Sequence, residues 1–440
     1  MDLSSTIKNT CKLCTFGSLF GCIIILLFLN QTDQNVSFSD VSNITTLELS
    51  PLSKLRPLNS AVIDPLVPLN ASEFPVITLE HSNVGPQPEK LNFTLSKAEK
   101  KCNIFEGRWV YRPEETRLYD TSTCPFLEEK MSCQMNGRPD SEYEKWRWEA
   151  NDCDIPLFDG KDMLERLRNK RVVIVGDSLN RNMWESLACL LYTSISSSRV
   201  EVQAKSPSYK VFKAKDYNCV IEFYWSPFLV ELAENRENGE KVLVLDKLTE
   251  SSKQWLGADV MVFNSGHWWI HLGKFKSWDL FQYEGELIKE MPIELAYERG
   301  MRTWAKWVEK NVDPKKTTVF YRSISPEHKR EQWCYNVTQP IMDESYESPF
   351  PKSLIDIVED QILGMRVKYL NITKMSSYRR DAHPSVYRSR KWTIYTTKYQ
   401  RLLRSYADCS HWCLPGLPDT WNRLFYASLF FYSSDDLSIS

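Results

Sequence analysis

Histidine is scarce in this chain: six in 440 residues, at His81, His267, His271, His328, His383 and His411. Any general base built on imidazole must be one of these. Nine cysteines lie beyond residue 100, namely Cys102, Cys124, Cys133, Cys153, Cys189, Cys219, Cys334, Cys409 and Cys413, and no CxxC pair occurs among them. Their spacing is therefore not a zinc pattern, and no metal cluster is read. No Gly-rich loop that could cradle a phosphate is visible among the 15 glycines, which removes the usual nucleotide-site signal. No internal repeat is found. Charge of one sign is not in excess: the formal net charge is −2, which argues against general nucleic-acid binding.

Long apolar runs are also rare, and the exception is informative. Leu13 to Leu29 carries no charge and follows Lys8 and Lys12. It is at the short end for a membrane span. The two lysines place the amino terminus in the cytosol and the rest of the chain in the lumen. No Ala-x-Ala-like site follows Leu29, which favours an uncleaved type II anchor over a cleaved signal peptide. A short span suits a thinner early-secretory bilayer, and the expected location is the Golgi membrane with a lumenal body. Residues 30–98 contain Pro51, Pro57, Pro65, Pro68, Pro75, Pro86 and Pro88 and no cysteine. Such a segment buries little and reads as an extended or disordered stem. Sequons at Asn30, Asn35, Asn43, Asn70, Asn92, Asn336 and Asn371 are consistent with a glycosylated lumenal protein, Asn30 being too near the membrane for modification.

The body has ordinary globular composition, 42% hydrophobic and 25% charged over the whole chain. It is rich in aromatics: 15 Trp, 20 Tyr and 20 Phe. Aromatic faces stack on the C–H faces of sugar rings, so a glycan partner is consistent with them, although most such residues serve the core. Residues 99–155 are rich in Cys, Trp and Arg and read as a disulfide-tied region packed on the main domain. From Lys170 onward, strand patterns alternate with helical ones. Strands are expected at Val172–Val175, Val220–Trp225, Val242–Leu245, Val260–Asn264 and Thr317–Arg322, and helices at Arg181–Tyr192, Ile288–Lys310 and Ser353–Leu363. The alternation predicts an α/β sandwich with a largely parallel sheet.

The run Val172-Val173-Ile174-Val175 ends in Gly176-Asp177-Ser178. Four apolar, mostly β-branched residues form a buried strand, and Gly176 permits a sharp turn. Ser178 then stands at the strand's carboxyl end, where open α/β sheets bind ligands. The plainer alternative is a strand–turn–helix junction with Asp177 or Ser178 as an N-cap. A nucleophilic serine needs a base oriented by an acid. His81 lies in a Pro-rich segment, and His328, in Ser325-Pro326-Glu327-His328-Lys329-Arg330, reads as a solvated turn. Two histidines follow an acid closely: His383 after Asp381, and His411 after Asp408. Asp408-Cys409-Ser410-His411-Trp412-Cys413 is flanked by two cysteines that can pin the loop, and a rigid loop preserves positioning. Asp408 and His411 are therefore preferred; Asp381 and His383 otherwise form a loop pair before Pro384.

Gly176-Asp177-Ser178-Leu179-Asn180-Arg181-Asn182, together with Asp408 to Asn422, resembles the plant trichome-birefringence-like proteins. So do Cys102-Asn103-Ile104-Phe105-Glu106-Gly107-Arg108-Trp109-Val110 and Asn136-Gly137-Arg138-Pro139-Asp140 with Lys145-Trp146-Arg147-Trp148. The resemblance runs from about Cys102 to Phe430. It implies a polysaccharide O-acetyltransferase of the plant cell wall with a three-layer α/β/α, SGNH/GDSL-type core and a smaller lobe. The implied organisation is a cytosolic tail (1–12), anchor (13–29), stem (30–98), amino-terminal region (99–155), esterase-like domain (156–432) and tail (433–440). It places the nucleophile on Ser178 and the acid and base on Asp408 and His411, with Arg181 helping to bind the oxyanion. It implies disulfides Cys102–Cys153, Cys124–Cys189, Cys133–Cys413 and Cys334–Cys409, leaving Cys219 as a free, buried thiol.

Asn264, at the end of the strand Val260-Met261-Val262-Phe263, is a further oxyanion candidate by similarity to GDS-motif esterases, with a turn residue or an orienting residue as alternatives. His267, Trp268 and Trp269 are expected to line the cleft and contact sugar, or else to pack the loop. This stretch is more similar to pectin-associated members than to xylan-acting ones. The expected chemistry is acetyl transfer through an acetyl-Ser178 to a sugar hydroxyl of pectin, xylan or another hemicellulose. Acetyl-CoA, or an acetylated intermediate delivered by transport proteins, would be the donor, with no bound cofactor. Water in place of the sugar would make the same groups an acetylesterase. A non-catalytic bridging protein would instead bind polysaccharide through Arg138, Trp146, Arg147, Trp148 and the Trp268-Trp269 pair.

Overall fold

The computed structural model describes residues 102–432 apart from 236–237, 272–275, 330–332, 344, 348–349 and 392–406. The expected anchor and stem lie outside these residues, as does the 433–440 tail. Among the described residues no helix is long and apolar enough to cross a membrane.

The strands are β1 (Gly107–Tyr111), β2 (Trp146–Ala150), β3 (Arg171–Gly176), β4 (Val200–Ser206), β5 (Tyr209–Ala214), β6 (Cys219–Trp225), β7 (Val230–Glu234), β8 (Lys241–Leu248), β9 (Val260–Phe263), β10 (Leu280–Tyr283), β11 (Glu286–Ile288), β12 (Thr318–Arg322) and β13 (Val367–Leu370). The principal helices are α1 (Gly160–Arg166), α2 (Ser178–Ser194), α3 (Ile293–Asn311), α4 (Lys352–Ile362) and α5 (Leu417–Phe430). The central sheet has the order β13-β12-β9-β3-β6-β5-β4. Its β13, β12, β9, β3 and β6 run parallel, and β5 and β4 complete the edge antiparallel. After β3 the chain builds β4, β5 and β6 on one side and only later β9 on the other. The carboxyl end of β3 is thus the point where strand order reverses, and a crevice opens at such a point.

β3 is buried on both faces, and this explains why its sequence is continuously apolar rather than alternating. Val172 and Ile174 join Ile221, Phe223, Val262, Leu187 and Leu191 of α2, and Trp421 and Phe425 of α5 in one core. Val173 and Val175 face the other way, toward Met261, Phe263, Met301 and Trp304 of α3, and Leu354 and Val358 of α4. Helices therefore cover both faces, and the core has three layers. α2 is buried along most of its length, as expected of a helix between a sheet and other helices. The expected strand 242–245 falls instead in a second sheet, β11-β10-β8-β7, which packs on α3. Period and composition mark a strand but do not say which sheet it joins.

The amino-terminal region is bound to the core by directional contacts. Trp148 is fully buried and its Nε1 donates to the Ile104 carbonyl at 3.0 Å. The Trp109 indole packs edge-on against Trp148 at 5.6 Å and donates to the Met375 carbonyl at 2.8 Å. Arg138 is also buried: it pairs with Asp140 and donates to the carbonyls of Asp381 and His383. These contacts correct the expectation that Arg138 and Trp148 bind substrate, because their polar groups are committed to the backbone of the fold. All four implied disulfides are present, and Cys219 is free and buried. Burial pushes its thiol up to about 12, so it is inert as a nucleophile.

Gly176 is the tightest turn. It has φ +152°, and a Cβ there would meet Asn264 Oδ1 at 1.9 Å. Gly176→Ala is expected to destabilise the protein by about 1–3 kcal/mol or more, the overpacking range, measured by denaturant unfolding. Trp148→Ala is expected to cost about 3–5 kcal/mol by the same measurement, the range for deleting a buried aromatic.

Candidate active site

The β3 strand delivers Asp177 as the N-cap of α2, and its carboxylate accepts the Leu179 N–H at 2.9 Å. Of the residues offered as N-cap of this turn, Asp177 takes the role, and Ser178 is the first helical residue. Ser178 consequently sits at a helix amino terminus, where backbone N–H groups lack intrahelical partners and the dipole favours negative charge. The turn is fixed from below. Asn264 accepts the Asp177 N–H at 3.2 Å and donates through Nδ2 to the Asp177 carboxylate at 3.0 Å. Asn180 donates to the Val175 carbonyl at 2.7 Å and accepts from Arg322 Nε at 2.8 Å. Burial pushes the Arg322 guanidinium down to about 10.

The 408–413 loop closes onto this turn. His411 Nε2 lies 2.7 Å from Ser178 Oγ, and His411 Nδ1 lies 2.9 Å from Asp408 Oδ2. Asp408 must accept from an N–H on Nδ1, which leaves the Nε2 lone pair facing the serine hydroxyl. Asp408 also accepts the backbone N–H groups of Ser410 and His411. Burial pushes its carboxyl up, but His411, these N–H groups and Arg388 outweigh burial and hold it well below the usual carboxylate range. The loop is tied on several sides: by disulfides to Cys133 and Cys334, by Asn182 accepting the Trp412 N–H at 2.9 Å, and by Trp412 Nε1 donating to Ser325 at 2.8 Å.

Other expected site residues are distributed unevenly. Arg181, one turn after Ser178, has its guanidinium 5.5 Å from the centre of the Trp225 ring, with Nε 3.4 Å from Glu128. Glu128 in turn pairs with Lys210, which also reaches the buried Glu185. Burial opposes ionisation of Glu128, but Lys210 and Arg181 pull it down to about 2; Glu185, more deeply buried, is pushed up to about 7. Both ends of the Asn264 side-chain amide bond to Asp177, so the visible work of Asn264 is to orient the turn. His267 is buried 3.9 Å from Asp177 Oδ2, and burial lowers its pKa. Trp268 is half-buried and stands edge-on to Trp225 at 5.4 Å. Trp269 is fully buried, with Nε1 donating to Ser265 at 2.9 Å; it is a core residue, a correction to its expected sugar contact. Trp146 packs on Tyr111 and Arg147 pairs with Glu115, both on the β1–β2 hairpin and its flank.

Three residues were missed. Trp225 ends β6 in register with Gly176, which puts an aromatic side chain beside the Gly176–Ser178 turn. Asn182 clamps the loop, and Glu128 meets Arg181. An aromatic at the end of a strand is the one sequence signal that could have pointed to Trp225; the other two depend on contacts across long separations. His328 is not solvated but 1% exposed, with Nδ1 2.7 Å from His383 Nε2. Asp381 pairs with Arg379 at 2.9 Å, so Asp381 and His383 do not form a second acid–base pair.

The sequence model of PC-Esterase, described as a GDSL/SGNH-like acyl-esterase family found in Pmr5 and Cas1p, matches residues 155–428. The PMR5 N-terminal domain matches residues 100–154. Protein trichome birefringence-like 1 of Arabidopsis thaliana is 42% identical over 347 residues, 75% of this chain and 62% of that relative. Protein trichome birefringence of the same plant is 40% identical, covering 79% of this chain and 59% of the relative. The chain thus spans about three fifths of the length of these two relatives. A protein of Oryza sativa subsp. japonica named probable xylan O-acetyltransferase 8 is 40% identical, over 80% of this chain and 83% of its own. With these matches and a GDS turn on an α/β core, the chain belongs to the PC-Esterase family of GDSL/SGNH-like acyl-esterase proteins, among its trichome birefringence-like members.

Proposed function

We propose that this chain is a cell-wall polysaccharide O-acetyltransferase that works through an acetyl-Ser178 intermediate. The observation that carries the proposal is the continuous hydrogen-bonded line from Ser178 Oγ through His411 to Asp408. His411 takes the Ser178 proton as the oxygen attacks the carbonyl carbon of an acetyl donor. Asp408 holds the imidazole tautomer and stabilises the imidazolium that forms. The tetrahedral oxyanion is met by N–H groups at the start of α2 and by Arg181, each such donor contributing about 3 kcal/mol. The donor's leaving group departs with the proton from His411. A sugar hydroxyl then gives its proton to His411, attacks the acetyl carbon and releases Ser178.

The rice relative's name favours xylan as acceptor, whereas the Gly266-His267-Trp268-Trp269 stretch favours pectin. Acetyl-CoA or a carrier ester is the donor class, and a Golgi lumenal body on an amino-terminal anchor is the proposed setting. Transfer rather than hydrolysis is favoured by the aromatic surface of Trp225 and Trp268 beside the nucleophile turn, which suits a sugar ring better than bulk water.

Acetyl transfer from a donor to xylan and pectin oligosaccharides, with free acetate counted in parallel, tests the proposal. Ser178→Ala is expected to lose at least about 1,000-fold in kcat while retaining glycan binding. Acetate release without sugar ester would make the protein an esterase, and wild-type binding without turnover would make it a bridging protein. Asp408→Asn keeps the shape of the loop but removes the charge that fixes the His411 tautomer. It is expected to lower kcat by about 10,000-fold with a smaller change in KM, read in the same assay.

A further inference from the structure

Behind the catalytic loop lies a buried line of two imidazoles. His328 Nε2 is 2.6 Å from the Ser377 carbonyl, His328 Nδ1 is 2.7 Å from His383 Nε2, and His383 Nδ1 is 2.6 Å from the carbonyl of His411 itself. Each ring is 1% exposed. Both outer partners are carbonyl oxygens, which only accept. Each outer nitrogen must therefore carry a proton. A neutral imidazole has one N–H and one bare nitrogen. If both rings were neutral, the two inner nitrogens would face each other with lone pairs at hydrogen-bonding distance. Three contacts need three protons, and two neutral rings hold two.

We propose that His328 and His383 share one additional proton as a buried imidazole–imidazolium pair, and that this cation positions His411 by holding its backbone carbonyl. This rests on the assignment of His411 as the base. A second observation agrees: the His383 ring stacks on Trp412 with centroids 3.9 Å apart and planes 20° from parallel. The face of an indole attracts a cation. Trp412 follows His411 directly, so the stacked ring supports the loop through both the carbonyl and the neighbouring side chain.

The charges around the pair are mixed. Burial disfavours the cation on His328, while Ser377, Asp381 and Glu327 favour it and Arg380 opposes it. At His383, burial and His328 disfavour charge, the His411 carbonyl and Asp408 favour it, and His411 opposes it. Arg138 donates to the His383 carbonyl, and Asp381 is already neutralised by Arg379. Burial lowers both rings, His328 to about 4, so the shared proton is held only in acid solution and shed to solvent as pH rises. One of the three contacts then opens, and His411 loses a fixed anchor. Loss of the shared proton as pH rises gives the activity profile an alkaline limb that belongs to the pair.

Histidine-selective 15N labelling of the full chain tests the proposal independently of turnover, with ring signals assigned through His328→Gln and His383→Gln. In acid solution the two rings are expected to show three N–H protons, falling to two as pH rises. Two N–H protons at every pH at which the protein is folded would overturn it. The acetyl-transfer profile is then compared for wild type and His328→Gln. The two N–H groups of a glutamine amide can serve Ser377 and His383 without an added proton. His328→Gln is expected to lose the alkaline limb, and a limb unchanged in that variant would overturn the positioning role. His328→Leu is expected to lower kcat with little change in KM. Turnover retained in Ser178→Ala would remove the base assignment and leave the proton count standing, so the two failures are distinguishable.

Discussion

Ser178 and His411 are 233 residues apart in the chain and 2.7 Å apart in space. A single hydrogen bond of this kind contributes only about 1 kcal/mol, far too little to hold two segments in register against their conformational entropy. The rest of the fold does that work. From one side, β3 is gripped by parallel neighbours on both edges and ends in a turn that only glycine can make. From the other, the 408–413 loop is closed by two disulfides and by the reciprocal contact of Asn182 with Trp412. The Ser178–His411 distance is the difference between two independently fixed positions.

The amino-terminal region belongs to the same construction. Arg138 and Arg379 carry their charges into the interior and spend them on the carbonyls of 381, 383 and 143 and on the Asp381 carboxylate. Breaking a buried charge from its partners is costly, so the 379–383 segment has one favoured course. That segment carries His383, which touches the backbone of His411. A region that looks like a separate cysteine- and tryptophan-rich module thus braces the segment that touches His411, near the opposite end of the chain.

Electrostatics divides the site into two kinds of surroundings. On the loop side, Asp408 is kept ionised by close N–H donors and by His411. On the helix side, Arg181 meets Glu128, which meets Lys210, which meets Glu185. This chain of alternating charge limits the positions available to the Arg181 guanidinium and leaves the Trp225 and Trp268 rings as the apolar surface beside it.

Where local pattern sufficed, sequence was a good guide. The apolar run at 172–175 and the helical periods at 181–192 and 353–363 correspond to β3, α2 and α4 within a few residues, because hydrophobic periodicity is a local consequence of which faces are buried. The Gly176 turn and the short Asp408-to-His411 spacing were likewise visible, since both constraints act within a few bonds. Membership of a known pattern supplied the disulfide pairing, which spacing alone leaves open. The tertiary structure decided what those residues touch. It turned Arg138, Trp148 and Trp269 from candidate sugar contacts into core supports. It drew Trp225 and Glu128 to the Ser178 turn, and it made His328 the buried partner of His383. None of these follows from neighbours in sequence, because a side chain's role depends on which distant groups satisfy its polar atoms once water has been excluded.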